Sequence, residues 1–349
     1  MSNAPIRFAA VGLNHNHIYG QTKMLLAAGA ELAGYVAPED DLAAEYAQSY
    51  PQARRIASTE EVLTDPTIQL IATAAIPSDR AAIALDAMRH GKDVLADKPG
   101  VTTLAQLAEI ERVQRETGRI WAVYFSEHFS TRCTVKAGEL VAAGAIGRVV
   151  QTTGFGPHRA HFPSRPDWFF KRAKYGGILT DIASHQIEQF LFFTGSRSAE
   201  VVVSQVGNFA HPEYPELDEY GEVTLRGDGG LGWIRVDWYT PDGLNTWGDG
   251  RLFILGTDGY IEIRKYCDIE GRPGGEHLFL ADQQGTRYVD CSNVELPFGP
   301  QFLDDIRNRT ETAIRQERTY LSMRLAIEAQ KAARWVDAPR EAPVGQGMV

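Results

Sequence analysis

The chain is predicted to be an α/β protein: an N-terminal Rossmann-type, doubly wound parallel sheet, then a second α/β domain with a large, mostly antiparallel open sheet. Three observations carry this expectation. Short apolar runs alternate with helix-like stretches over residues 6–125. From residue 199 onward the alternation takes period two and is punctuated by glycine-rich turns. A length of 349 residues with 44% hydrophobic content suits two cores better than one. The expected domains are 1–125 and 126–349.

The apolar runs are Ile6–Val11, Glu31–Val36, Ile68–Ala75, Asp93–Asp97 and Ile120–Phe125. Each is too short for an independent helix and rich in β-formers or alanine, as buried parallel strands are. Ser78–His90 and Thr103–Thr117 read as intervening helices, the second ended by Gly118. Strands alternating with helices give βαβ units. Beyond residue 125 a helix ends within Gly138–Gly147, a strand follows at Arg148–Gly154, and a polar and aromatic loop runs from His158 to Tyr175. A helix carrying Asp181 and His185 comes next. Glu222–Arg226 and Gly232–Trp238 flank Gly227-Asp228-Gly229-Gly230, and Arg251–Leu255 and Tyr260–Arg264 flank Gly256-Thr257-Asp258-Gly259; both read as hairpins. A long helix over Thr319–Trp335, with Thr319 as N-cap, is expected to pack back near the first domain. The Pro- and Gly-rich tail, Asp337–Val349, is expected to be loose.

A net charge of −10 argues against nucleic acid or anionic membrane as a standing partner. No apolar run approaches the roughly 18 residues that span a bilayer. Met1–Pro5 leads into the first strand without a signal-type region. Cys133, Cys267 and Cys291 are few, odd in number and scattered, which argues against both a disulfide framework and a cysteine zinc site. A cytoplasmic, reduced protein is expected.

Val11-Gly12-Leu13-Asn14-His15-Asn16-His17 lies where the first strand turns into the first helix. A dinucleotide fingerprint has glycines at the first, third and sixth positions of this turn; only Gly12 is in place, with Asn14 and His17 in the other two. A helix start still offers backbone N–H groups to a pyrophosphate, so Gly12, Leu13, Asn14, His15 and His17 are candidate cofactor contacts. No carboxylate or cysteine nearby in sequence joins the two histidines, and no metal is expected. The second strand ends at Ala37, with Glu39 and Asp40 just beyond and no Arg following to receive a 2′-phosphate. NAD is the expected cofactor, with NADP as the alternative.

Two motifs carry chemistry. Asp97-Lys98-Pro99 closes a βα unit, and Gly176-Gly177-Ile178-Leu179-Thr180-Asp181-Ile182-Ala183-Ser184-His185 places Asp181 and His185 at i and i+4, on one helix face. Lys98, Asp181 and His185 can together move a proton on and off a hydroxyl, which is half of an alcohol oxidation. Substrate contacts are sought from the same three residues and from His128, His158 and Trp168. Aromatic faces and polar groups there suit a polyhydroxylated ring, and the cations of the loop suit a carboxylated or phosphorylated one.

The combination resembles the Gfo/Idh/MocA family of oxidoreductases, which contains glucose–fructose oxidoreductase and inositol dehydrogenase. Asp97-Lys98-Pro99 stands where the family usually has Glu-Lys-Pro. Gly176, Gly177, Asp181 and His185 match its Gly-Gly-x-x-x-Asp-x-x-x-His pattern, with Tyr175 replacing the first of a frequent three glycines. A Thr/Asn-x-x-His feature after a Rossmann strand appears as Ala75-Ile76-Pro77-Ser78-Asp79-Arg80, with Arg80 where His is common. The resemblance implies cofactor contacts from Ala37, Glu39, Ala75, Ile76, Pro77, Arg80, Asp97 and Lys98, and catalytic roles for Lys98, Asp181 and His185. It implies an NAD(P)-dependent dehydrogenase or reductase moving a hydride between nicotinamide and a secondary alcohol of a sugar or cyclitol. It also implies a homodimer or homotetramer formed through the C-terminal sheet. Two alternatives within the family are a redox-assisted glycosidase or lyase with tightly held NAD, and a non-catalytic dinucleotide-binding sensor.

Overall fold

A computed structural model describes residues 4–336; the tail Asp337–Val349 lies outside the described residues. Five parallel strands form the first sheet: β1 (Arg7–Val11), β2 (Glu31–Val36), β3 (Leu70–Thr73), β4 (Asp93–Asp97) and β5 (Trp121–Tyr124), in spatial order β2-β1-β3-β4-β5. The last three are buried along their whole length, because helices cover both faces, and this is why they read as continuous apolar runs rather than alternating ones. Thr103 and Gln106 close a capping box at the start of helix Leu104–Thr117, and Gly118 ends it at φ 62°.

The strand order reverses between β1 and β3, so a crevice opens at their carboxyl ends. Gly12 turns out of β1 at φ 77°, and a Cβ there would lie 2.5 Å from the Cβ of Ala75. Only glycine permits this approach. The two turns are also tied by hydrogen bonds from Ala74 N to Gly12 O (3.2 Å) and from His15 N to Ala74 O (2.9 Å).

The second sheet has nine strands: β6 (Val149–Pro157), β7 (Ala199–Gly207), β8 (Tyr220–Gly227), β9 (Leu231–Asp237), β10 (Arg251–Gly256), β11 (Tyr260–Arg264), β12 (His277–Asp282), β13 (Gly285–Val289) and β14 (Arg334–Val336). Their order is β13-β12-β11-β10-β6-β9-β8-β7-β14, antiparallel except for β6 beside β9 and β7 beside β14. Both expected hairpins form, closed by Gly227 N to Gly230 O and Gly256 N to Gly259 O, each 2.8 Å. One face of the sheet packs on helices Ala183–Thr194 and Gln316–Ala332; the other is open.

Two expectations need correction. The C-terminal helix spans Gln316–Ala332, not 319–335. It begins earlier because the Gln316 amide caps the edge of β5, accepting from Trp121 N and donating to Trp121 O, each 3.1 Å. Thr319 is inside the helix, its hydroxyl returned to the Arg315 carbonyl, and Trp335 belongs to β14. The second correction concerns Asp181 and His185. They sit on two helical segments, Ile178–Asp181 and Ala183–Thr194, joined at Ile182. The Ser184 hydroxyl takes the Asp181 carbonyl, and His185 N turns to Ile182 O instead.

Candidate active site

Asp97 and Lys98 end β4 at the mouth of the crevice. The Asp97 carboxylate is fully buried and engaged on both oxygens, by Arg80 Nη2 at 3.0 Å and by His17 Nδ1 at 2.9 Å. Burial opposes its ionisation, but the charges of His17 and Arg80 outweigh that and hold the carboxyl well below the usual range. Arg80, equally buried, donates to the carbonyls of Ala75, Lys98 and Pro99. Asp97 and Arg80 spend their side chains on each other, on His17 and on backbone carbonyls: they lock the β3 and β4 turns together and fix the backbone from which Lys98 projects. Arg80 and Asp97 stand 17 residues apart and His17 and Asp97 80 apart, which hid this clamp from the sequence.

Lys98 Nζ donates to Asp181 Oδ1 at 2.6 Å, and this pair joins the two domains. The Gly176-Gly177 turn brings Asp181 there. Both glycines have φ near 90° (91° and 90°), and a Cβ on Gly177 would collide with the Gln330 amide. That amide accepts from Leu179 N at 2.9 Å and donates to Asp218 at 3.0 Å, so the C-terminal helix anchors the start of the Asp181 segment. Tyr175, in place of a glycine, packs inside, its hydroxyl receiving Asp218 N and donating to Glu216 O.

His185 is 1% exposed, and its ring makes no hydrogen bond to any described residue; Nδ1 is buried without a partner. Burial first, then the Lys98 charge, pushes its pKa well below the ordinary histidine value, so the ring is neutral at physiological pH. Sharing a helix face does not pair it with Asp181, which turns to Lys98 instead. His158, pushed down to about 4 by burial and by Lys98, is neutral as well.

A cleft of about 540 Å³ between the domains is lined by Lys98, Asp181, His15, His17, His158 and Trp168, among others. Trp238, Trp247 and Tyr266 complete its far wall. Sequence reasoning missed these three; they come from the second sheet and the loops beside it, far from the motifs. His128 is the clear displacement. It lies away from the cleft, with Nδ1 2.9 Å from Glu188, whose other oxygen is 3.1 Å from Arg318 Nε.

The turn after β1 fits a dinucleotide. Asn14, His15, Asn16 and His17 border the cleft, and the helix that starts at His17 has no acidic side chain in its first turn to repel a pyrophosphate. At the end of β2, Glu39 accepts from Asn14 Nδ2 at 2.9 Å while its Oε2 is buried with no partner, an acceptor suited to a ribose hydroxyl. The supposed lack of an arginine here is corrected: Arg55 reaches back to donate to Ala37 O at 2.9 Å and Asp40 at 2.7 Å. The separation of histidines from carboxylates is corrected too, since β4 brings Asp97 to His15 and His17, with ligand atoms within 4.8 Å. Leu13 and Ala75 are buried beneath the turns, and Pro77 borders the cleft beside Ile76. Among the described residues no helix is long and apolar enough to cross a membrane.

Comparison with known proteins places this geometry. The chain is 49% identical to a putative oxidoreductase from Erwinia carotovora atroseptica SCRI1043, covering 95% of this chain and 99% of that one with a TM-score of 0.93. It is 23% identical over 340 residues to scyllo-inositol 2-dehydrogenase (NAD(+)) of Bacillus subtilis, 94% of each chain. It is 30% identical over 146 residues to D-xylose dehydrogenase of Paenarthrobacter nicotinovorans, a match that spans only 37% of that protein. Residues 6–125 match the oxidoreductase family's NAD-binding Rossmann fold, and residues 134–262 match the GFO/IDH/MocA C-terminal domain. The chain, with a nucleotide turn, a lysine at the end of β4 and an acid on the facing domain, belongs to the Gfo/Idh/MocA family of NAD-binding oxidoreductases.

Proposed function

We propose that the protein is an NAD-dependent dehydrogenase or reductase acting on a secondary alcohol of a sugar, a cyclitol or a derivative of one. The observation that carries this reading is the Lys98–Asp181 pair at 2.6 Å, at the carboxyl end of a Rossmann strand and beside an unengaged histidine. Bound NAD supplies the hydride acceptor for alcohol oxidation. Glu39 and the Asn14–His17 turn hold the dinucleotide, and Arg80 with Asp97 sets the height of Lys98 beside it.

Lys98 donates to the substrate oxygen, and its positive charge stabilises the alkoxide character that develops there. Asp181 keeps the ammonium aimed and shares the same substrate oxygen or its neighbour. His185, neutral and without a partner, receives the hydroxyl proton. Trp168 and His158 line the substrate side of the cleft. The sensor alternative has no use for a buried lysine–aspartate pair across the domains, and no observation favours the redox-assisted hydrolase or lyase.

The reading extends to assembly and location. The open face of the second sheet carries half-exposed Val203, Leu255 and Tyr260 near Phe155, Trp233 and Phe253, a surface suited to a second copy. Sedimentation at several concentrations tests this; a monomer throughout removes it. Three free cysteines fit a reducing, cytoplasmic setting.

The functional test begins with denaturing the purified protein and identifying released dinucleotide by mass. NAD or NADP is then offered with sugars and inositols while reduced nicotinamide is followed by absorbance. Net reduction with one substrate class, abolished in Lys98→Ala, is the expected result. Turnover unchanged by Lys98→Ala overturns the mechanism.

A further inference from the structure

Five cations lie along the loop that covers the cleft, and four are neutralised within the protein, Lys174 by Asp79 at 3.8 Å. Arg159 pairs with Asp242 at 3.1 Å, Lys171 with Glu216 at 3.0 Å and Arg172 with Asp218 at 2.8 Å. Arg165 has no carboxylate within ion-pair distance among the described residues. Its Nε donates to Ala160 O at 2.7 Å and its Nη2 to Arg159 O at 3.1 Å. A guanidinium has five N–H donors, so these two bonds leave three donors without a partner among the described residues.

The setting directs those donors. The guanidinium carbon lies 4.4 Å from the ring centre of Phe169, 5.2 Å from Trp238 and 5.6 Å from Trp247. Two backbone carbonyls fix one edge and aromatic faces enclose the group, leaving it on the lining of the cleft with Lys98 and Asp181. The rings contribute a cation–π attraction, which steadies the charge but satisfies none of the remaining N–H groups. Asp181 acts on Arg165 through charge, yet its Oδ1 is given to Lys98. Elsewhere at the cleft the other cations are balanced, Lys98 by Asp181 and Lys265 by Glu127 at 2.6 Å, and His158 and His185 are neutral. Arginine does not escape by releasing its proton. Arg165 is only partly buried, so its free donors open onto the cleft, where a ligand's anion can meet them.

We propose that Arg165 is a specificity-determining residue and that the substrate carries one anionic group, a carboxylate or a phosphate ester, bound by Arg165 through paired N–H donors. This rests on the dehydrogenase reading and narrows its substrate class to acidic sugars or cyclitols. The planar fork of arginine matches two oxygens of either group. Trp238 and Trp247 of the second domain surround it, which places the anion on the substrate side of the cleft.

The test compares wild type with Arg165→Gln and Arg165→Lys on hexuronates and aldonates, sugar phosphates, and the parent neutral sugars, with NAD in all cases. The expected result is a wild-type preference for one anionic class. In Arg165→Gln the KM for that class rises about a hundredfold with a smaller change in kcat, and Arg165→Lys recovers part of it. Preference for uronates or aldonates identifies the carboxylate as the source, and preference for sugar phosphates identifies the phosphate. Wild-type use of neutral sugars as efficient as that of both anionic classes, with every KM unchanged in Arg165→Gln, overturns the proposal. So does a rise in the KM for NAD alone, which would assign Arg165 to the cofactor. Calorimetry with D-glucuronate, D-gluconate and glucose phosphate on Lys98→Ala separates the two readings. Anion binding that is lost when Arg165→Gln is added, without turnover of any substrate by wild type, keeps the anion site and defeats the dehydrogenase reading. Turnover of neutral sugars without anion binding does the reverse.

Discussion

Helix Ala183–Thr194 carries two buried ionisable groups one turn apart, and they live in opposite conditions. His185 has no hydrogen-bond partner and is held neutral by burial and by Lys98. Glu188 is bound on both sides, by His128 at 2.9 Å and Arg318 at 3.1 Å. Burial opposes ionisation of Glu188, but its two partners outweigh it and keep the carboxyl below its usual range. A buried polar group with every partner in place rigidifies a core, whereas one left without a partner next to a candidate site is a candidate for chemistry. On the proposed mechanism the same helix serves structure at Glu188 and chemistry at His185.

Several substitutions can break or sharpen this contrast. Lys98→Ala should have the largest effect, lowering turnover by about a thousandfold or more while the fold and NAD binding persist, as read by steady-state kinetics and dinucleotide titration. Glu188→Ala should do the opposite. Removing one member of a buried charge cluster costs about 3–5 kcal/mol of stability in urea titrations, with kcat retained in the folded fraction. A kcat lost together with unchanged stability would reverse the roles of the two positions.

His185→Gln should reduce kcat by about a hundredfold with little change in stability. Because its folded pKa lies well below 6.5, the wild-type kcat/KM should not decline as pH falls from 8 to about 6.5; a decline in that range counts against a neutral His185. Stability follows the same sign. His15, His158 and His185 all have depressed folded values, so the unfolded chain takes up protons first as pH falls below about 6.5. Their stabilisation is present above that pH and is progressively lost toward the His158 value of about 4. Denaturant midpoints that stay flat between pH 7 and 5 would contradict this. The smallest effect is expected at the nucleotide: Glu39→Ala should raise the KM for NAD about tenfold and narrow its advantage over NADP, because Arg55 and not a carboxylate then dominates the end of β2.

The chain's own order determined the element types. Apolar runs of strand length between capped helices specify a parallel sheet, and Gly118, Gly12 and the two hairpin turns mark positions that local backbone sterics dictate. Lys98, Asp181 and His185 were legible for a related reason: each sits in a short motif whose neighbours reveal its place on an element. Partners were not legible, because hydrogen bonds and ion pairs form between residues far apart in the chain. Only the assembled fold sends Asp181 to Lys98 rather than to His185, and His128 into a core with Glu188 and Arg318. The fold likewise brings Arg55 to the end of β2 and leaves Arg165 alone among five loop cations without a carboxylate among the described residues. Sequence fixes where a charge is attached to the chain; the tertiary structure decides what neutralises it, since Coulomb and hydrogen-bond energies depend on distance and burial and not on sequence separation.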